Sequence, residues 1–295
     1  MVAECAKGYR NYIRKCDPRQ RREDRKIAIA PLGKVPTPKI PFEVTAMDVT
    51  GPYLTTPLGN KYLLTFIDHF SKYVEAFLIP DQTAETCASV YATQIVTRHG
   101  TGSSLITDQG PAFMSSFFQG TCKILGIRRI RTSSYHPQSN GVIERWHRSL
   151  HSGLSHYINV TNTNWDTSVP FCLMSYRANP RNTTGFSPFY IMHEREVTLP
   201  NSDSLKAQFP QDNPSHEQRI ENFKSNLKLA YKLVVKANRK SHQSNKRYCD
   251  RKAKPRKFIV NELVYLNNPA TKPGLARKFS KSWQGPTKLQ RNSLN

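Results

Sequence analysis

The chain has 295 residues, 37% hydrophobic and 10% aromatic, enough to bury the core of one large domain or two modest ones and too much for a wholly disordered polypeptide. No run reaches the roughly 18 apolar residues of a membrane span, the opening MVAECAKGYRNYIRKC does not resemble a signal peptide, and six scattered cysteines exclude a disulfide scaffold. The sequence therefore reads as a soluble intracellular protein without a membrane partner, whose formal charge of +23 calls for a polyanionic one.

That charge is unevenly placed. Residues 42–200 hold twelve Lys or Arg against eleven Asp or Glu, residues 219–295 hold twenty against three, and residues 1–30 hold nine against four. A nearly neutral middle between basic arms suits a globular domain flanked by segments that grip phosphate backbones through counterion release, although a basic tail can also be a merely solvated one.

Residues 21–40 pass from a charged cluster into a stretch with Pro31, Pro36 and Pro38, read as an extended linker, so a domain is predicted to begin near Phe42. Three strand-like runs follow at 42–49, 62–68 and 73–79, then a helix over 84–99 ended by Gly100. A short strand at 105–107 arrives at Asp108, a helix covers 113–125, another strand covers 127–132, and a loop containing HPQSNG leads into a long helix beginning near Gly141. A further helix is predicted over 165–176. This order predicts an α/β domain with a mixed sheet and helices on both faces. Beyond Pro200 a polar, Pro-punctuated linker leads to an amphipathic basic helix over about 218–246, with Ile220, Phe223, Leu227, Tyr231 and Val234 on its apolar stripe. The last residues read as strands of a small β domain that is cut short.

Three acids stand where a metal site on a sheet would need them. Asp48 lies in an apolar strand, Asp108 at the end of another, and Glu144 in the first turns of the long helix. A carboxylate in mid-strand needs a partner or a cation to offset its desolvation. Converging carboxylates hold Mg²⁺, and paired ions can activate a hydroxyl and stabilise the leaving oxygen of a phosphoryl transfer. Each acid also has a structural reading: Asp48 as an acceptor of backbone hydrogen bonds, Asp108 as the opening of a turn, Glu144 as a helix-start residue paired with Arg148. His147 and His151 have chelating spacing, but no third ligand lies near in sequence, which favours packing or surface roles.

The segments MDVTGP around Asp48, LITDQGPAF around Asp108 and HPQSNGVIERWHRSL around Glu144 resemble the catalytic core of integrases of gypsy-type long-terminal-repeat retrotransposons and their retroviral relatives. The 35 residues between Asp108 and Glu144 match the family's spacing, and FIDHFSKYVEAF and YRANPRNTTGFSPFYIMHEREVTLP extend the resemblance over residues 42–200. It implies a ribonuclease-H-like fold in which Asp48, Asp108 and Glu144 bind Mg²⁺ (or Mn²⁺), trim the ends of element DNA and join them to target DNA. Partners would be double-stranded DNA and further copies of the chain, and the site of action the nucleus, after passage through a virus-like particle. Tyr135, His136 and Gln138 precede the catalytic helix where the family has a mobile loop near the DNA ends, and Arg145 and Arg148 follow Glu144, so all five are candidate DNA contacts. The alternatives are a non-catalytic DNA-binding remnant or domesticated copy, and a ribonuclease-H-type nuclease.

The arms depart from the family pattern. Residues 1–40 read as the remnant of an N-terminal zinc module followed by the linker: CDPRQ carries Arg19 where the second cysteine would stand, and no histidine precedes His69, which makes zinc binding improbable. Residues 201–257 read as linker and basic helix, and 258–295 as a truncated SH3-like domain. Between them, KRYCDRKAKPRKF offers Lys246, Arg247, Arg251, Lys252, Lys254, Arg256 and Lys257 as backbone-contacting cations and as a nuclear localisation signal.

Overall fold

The computed structural model describes residues 8, 12, 16, 21, 36–132, 141–158, 163–198, 216–251, 259–267 and 283–289. The chain divides into two compact units, one spanning Leu32–Arg247 and one formed by Met1–Pro31 with Tyr248–Asn295.

The larger unit is built on a five-stranded sheet. Strands β1 (Val44–Thr50), β2 (Tyr62–Asp68) and β3 (Val74–Ile79) form an antiparallel meander, and β4 (Ser104–Thr107) and β5 (Arg128–Arg131) add in parallel to β1, giving the order β3-β2-β1-β4-β5. Alternation along the central strands sends side chains to both faces. Met47, Leu64 and Phe66 pack on one side with Cys87, Tyr91 and Phe118. Ala46, Leu63, Ile67 and Ile106 pack on the other with Ile143, Trp146, Leu150 and Val169. Both faces are thus covered, as the periodicity predicts.

The helices on the first face are α1 (Ala84–Val90, continuing through π-type turns at Tyr91–Val96 to Thr97–His99), α2 (Pro111–Met114) and α3 (Ser116–Ile124). The single helix expected over 84–99 is therefore widened in its middle. Thr93 and Thr97 donate their hydroxyls to the carbonyls of Ser89 and Thr93 within that stretch, a bonding habit that competes with the regular ladder. The helix expected over 113–125 is two helices, because Ser115 adopts extended backbone and its hydroxyl caps the N–H of Phe117.

On the second face lie α4 (Gly141–Leu154) and α5 (Trp165–Ala178). A short α6 (Pro188–His193), which periodicity does not reveal, starts at Ser187-Pro188: the serine hydroxyl accepts from Tyr190 N–H and proline occupies the first turn. The basic helix, α7 (His216–Asp250), is longer at both ends than its apolar stripe indicates. Only part of that stripe is covered. Val234 is fully buried with Phe70 and Ile191, Tyr231 meets Phe70 edge-on at 5.0 Å, and the Asn238 amide donates to Phe70 O at 3.0 Å, whereas Ile220 and Phe223 remain exposed.

In the smaller unit β6 (Leu263–Asn267) and β7 (Trp283–Lys288) pair antiparallel with an irregularity between Val264 and Leu266. Trp283 N–H donates to Arg21 O at 3.2 Å. Among the described residues no helix is long and apolar enough to cross a membrane.

Candidate metal centre and its basic flank

The two central parallel strands carry two of the three acids. Asp48 sits in β1 opposite Thr65 of β2, and Asp108 follows the last residue of β4, whose Thr107 is in register with Met47. The turn after Asp108 is shaped by its own carboxylate, which accepts from Gly110 N–H at 2.9 Å; a Cβ at residue 110 would stand 3.0 Å from that oxygen. Asp108 thus opens a turn just past the end of β4, as its structural reading has it.

Glu144 is exposed on α4, one residue beyond the buried Ile143. Its charge and that of Asp108 both reach Asp48. Burial, then the Asp108 charge, then Glu144, partly offset by a hydrogen bond from the Val49 backbone, push the Asp48 carboxyl up to about 7. The three acids are therefore one electrostatic cluster centred on Asp48. They do not form a closed cage: among the described residues no group of three His, Cys, Asp or Glu is gathered tightly enough to hold a metal ion.

The donor chemistry nevertheless fits a hard divalent cation. All three candidate ligands are carboxylates, and Asp48 is held part-protonated by burial and then by its like-charged neighbours, a cost that a cation would relieve.

His147, one turn after Glu144, completes the surroundings of Asp48. Its Nδ1 is 3.6 Å from Asp48 Oδ2 and its Nε2 is 3.2 Å from the Thr65 hydroxyl. Burial and the neighbouring His151 pull its pKa down to about 4, so at neutral pH the ring is uncharged and the approach is a contact of a neutral imidazole rather than an ion pair. His151 lies a further turn along, bonded to the Tyr53 hydroxyl at 2.9 Å, which is itself 3.0 Å from Thr50 Oγ1. The two histidines therefore do not chelate as a pair, and the packing role expected for His147 understates it, since it lies against the central carboxyl.

Asp68 shares the family-like segment but takes no part. Fully buried, it accepts from the N–H groups of Phe42, Phe70 and Ser71 and from the Ser71 hydroxyl, and shapes the β2–β3 hairpin.

Of the residues expected to touch DNA, Arg145 and Arg148 are exposed on α4 beside Glu144, and Lys246, Arg247 and Arg251 lie at the C-terminal end of α7 and just past it. Tyr135, His136, Gln138, Lys252, Lys254, Arg256 and Lys257 lie outside the described residues.

A mixed sheet in β3-β2-β1-β4-β5 order, covered on both faces, with Asp48 on β1 and Asp108 just past the parallel neighbour β4, defines an α/β domain with a ribonuclease-H-like core. The chain is integrase-like: residues 38–137 match the integrase core domain family. It is 26% identical over 97% of its length to a retrovirus-related Pol polyprotein from transposon 412 of Drosophila melanogaster, and 31% identical over 77% of its length to the Pol polyprotein of radiation murine leukemia virus (strain Kaplan). It spans 23% of the first polyprotein and 37% of the second. Among solved structures it is similar to a chain of a simian T-cell lymphotropic virus intasome in complex with PP2A regulatory subunit B56 gamma, at 22% identity, 69% coverage of each chain and a TM-score of 0.49. It is also similar to the HTLV-2 integrase catalytic core in complex with magnesium, at 24% identity, covering 52% of this chain and 98% of that one with a TM-score of 0.43.

Proposed function

We propose that the chain is a polynucleotidyl transferase of the integrase type, which trims the 3′ ends of an element's DNA and joins them to target DNA. The observation that carries this reading is the Asp48 carboxyl, half-buried in the sheet and pushed up to about 7 by desolvation and by the charges of Asp108 and Glu144. A carboxyl whose proton affinity is raised by burial and by two neighbouring acids has a natural use in holding divalent cations.

Asp48, Asp108 and Glu144 would hold Mg²⁺ or Mn²⁺. When bound, such ions activate a water or a 3′ hydroxyl and stabilise the leaving oxygen of an in-line phosphoryl transfer. Asp48 on β1 and Asp108 just past the end of β4 would be two ligands held by neighbouring strands, and α4 would bring the third on a separate element. His147 limits the directions open to the Asp48 carboxylate. Arg145, Arg148 and the basic end of α7 would grip phosphates of double-stranded DNA, and paired ends would require more than one copy of the chain. The working compartment is then the nucleus.

A labelled short duplex, supercoiled plasmid and Mg²⁺ or Mn²⁺ test the reading. Joined product should form with the full chain and disappear with Asp108→Asn and with a chelator. Binding of both DNAs without joining under any metal would leave a DNA-binding protein and remove the enzyme.

A further inference from the structure

One flank of α4, which adjoins Glu144 at Arg148, is lined with cations. A cavity of about 350 Å³ opens there, and its described lining includes four cations, Lys72, Arg145, Arg148 and Arg181, with the hydroxyls of Ser149 and Thr183 and no acidic side chain. The cations come from three parts of the fold: the β2–β3 hairpin, α4, and the segment after α5.

Two of the four are held in place rather than free on the surface. Lys72 is only 4% exposed, its ammonium donates to His69 O at 2.6 Å, and it occupies a left-handed backbone conformation (φ 65) that a lysine rarely adopts. Arg181 lies over the Tyr176 ring at 3.8 Å and donates to the carbonyls of Tyr176 and Asn179, which fixes the plane of its guanidinium. The carboxylate beneath Lys72, Asp68, already accepts four hydrogen bonds. Burial, with a smaller contribution from the Arg145 charge, lowers Lys72 to about 8 against the pull of Asp68, and His69 and His242 are lowered first by burial and then by nearby cations.

We infer that this cavity is a phosphate-binding pocket, in which Lys72, Arg145, Arg148 and Arg181 surround one phosphate group and Ser149 and Thr183 offer hydroxyl donors. The chemistry is that of a tetrahedral oxyanion, for which guanidinium forks and hydroxyls are matched donors. Successive residues of a helix turn by about 100°, so Arg145 and Ser149 project from a different flank of α4 than Glu144 and His147. If the occupant is a DNA backbone phosphate, an inference that rests on the transferase reading, the pocket anchors the strand on the flank of α4 that adjoins Glu144. A free phosphate or polyphosphate would offer the same oxyanion.

Anisotropy of a labelled duplex with the full chain, in the absence of divalent metal, separates pocket from chemistry. Arg148→Gln and Arg181→Gln should each weaken duplex binding roughly 5- to 10-fold and reduce the slope of log K against log salt by about one contact's worth, roughly 0.9. Arg181→Lys should recover part of the loss, and Lys123→Gln, an exposed charge outside the cavity, should change little. Because Arg181 also supports local packing, the exposed Arg148 carries the test should the Arg181 variant misfold. A parallel thermal melt with inorganic pyrophosphate identifies the source: stabilisation that is lost in Arg148→Gln while duplex binding is untouched assigns the pocket to a free phosphate. Wild-type duplex affinity, salt slope and pyrophosphate response in Arg148→Gln would overturn the pocket. Failure of the transferase reading would show separately, as absent joining with these binding effects intact.

Discussion

Asp48 works against the stability of the metal-free protein. Its folded-state pKa of about 7 lies above the ordinary 3.8, so the folded protein holds the proton more tightly than the unfolded chain does. The penalty is absent below about pH 4, grows as pH rises to 7 and is complete above it, with a ceiling of about 4 kcal/mol. Asp48→Asn should therefore raise the melting temperature by several degrees at pH 8 and by nothing at pH 4; an unchanged melt at pH 8 would mean that the carboxyl is solvated. His147 acts through Asp48: His147→Ala should lower Mg²⁺ affinity about tenfold while moving the melting temperature little, read by metal titration and calorimetry. The three acids were legible because each sits in a distinctive local segment, and the 35-residue interval ties two of them together. His147 was not, since its contact with Asp48 depends on how α4 lies across β1 and β2, which no local pattern encodes.

At the scale of elements, strands and long helices followed from their periodicities, whereas helix interruptions followed from single side chains. Ser115 splits one helix by capping the next, and threonines accompany the π turns of α1. Seams between elements were the least readable. Glu75 of β3 meets His99 at the end of α1 and Arg177 of α5, at 3.1 Å in each case. Burial would raise its pKa, but the His99 hydrogen bond and the charges of Arg177, His99 and Arg98 outweigh it and hold the carboxyl below its ordinary value. A depressed acid contributes stability above its unfolded pKa and loses it as pH falls through the folded one, so Glu75→Gln should destabilise by about 1–3 kcal/mol at pH 7 and by progressively less below pH 4.5. Asn238 is the second seam. It interrupts the apolar stripe of α7 and is fully buried, bonded to Phe70 O, so Asn238→Leu should cost about 1–3 kcal/mol in a denaturant melt, and a neutral result would show the helix to be loosely seated.

For the whole molecule, the charge layout read from the sequence places the acids in a nearly neutral region and most of the excess cations beyond residue 218. Association with duplex DNA should fall steeply with salt, losing more than tenfold between 50 and 200 mM, while the metal affinity of the three clustered carboxylates, which does not depend on counterion release from DNA, should respond far less. Equal salt responses would mean that the basic segments do not carry the DNA contact. The joining of both chain ends into one unit was not readable, because the composition shifts mark linkers and not which segments meet across them.

The central claim is that Asp48, Asp108 and Glu144 act as one divalent-cation site. Titration calorimetry with Mn²⁺ at pH 7, in two buffers of different ionisation enthalpy, measures affinity and proton release together. The account predicts saturable binding with release of a substantial fraction of one proton, lost proton release in Asp48→Asn, and weakened binding in Asp108→Asn and Glu144→Gln. Binding of undiminished affinity in all three variants, or binding without proton release in the unaltered chain, would contradict it.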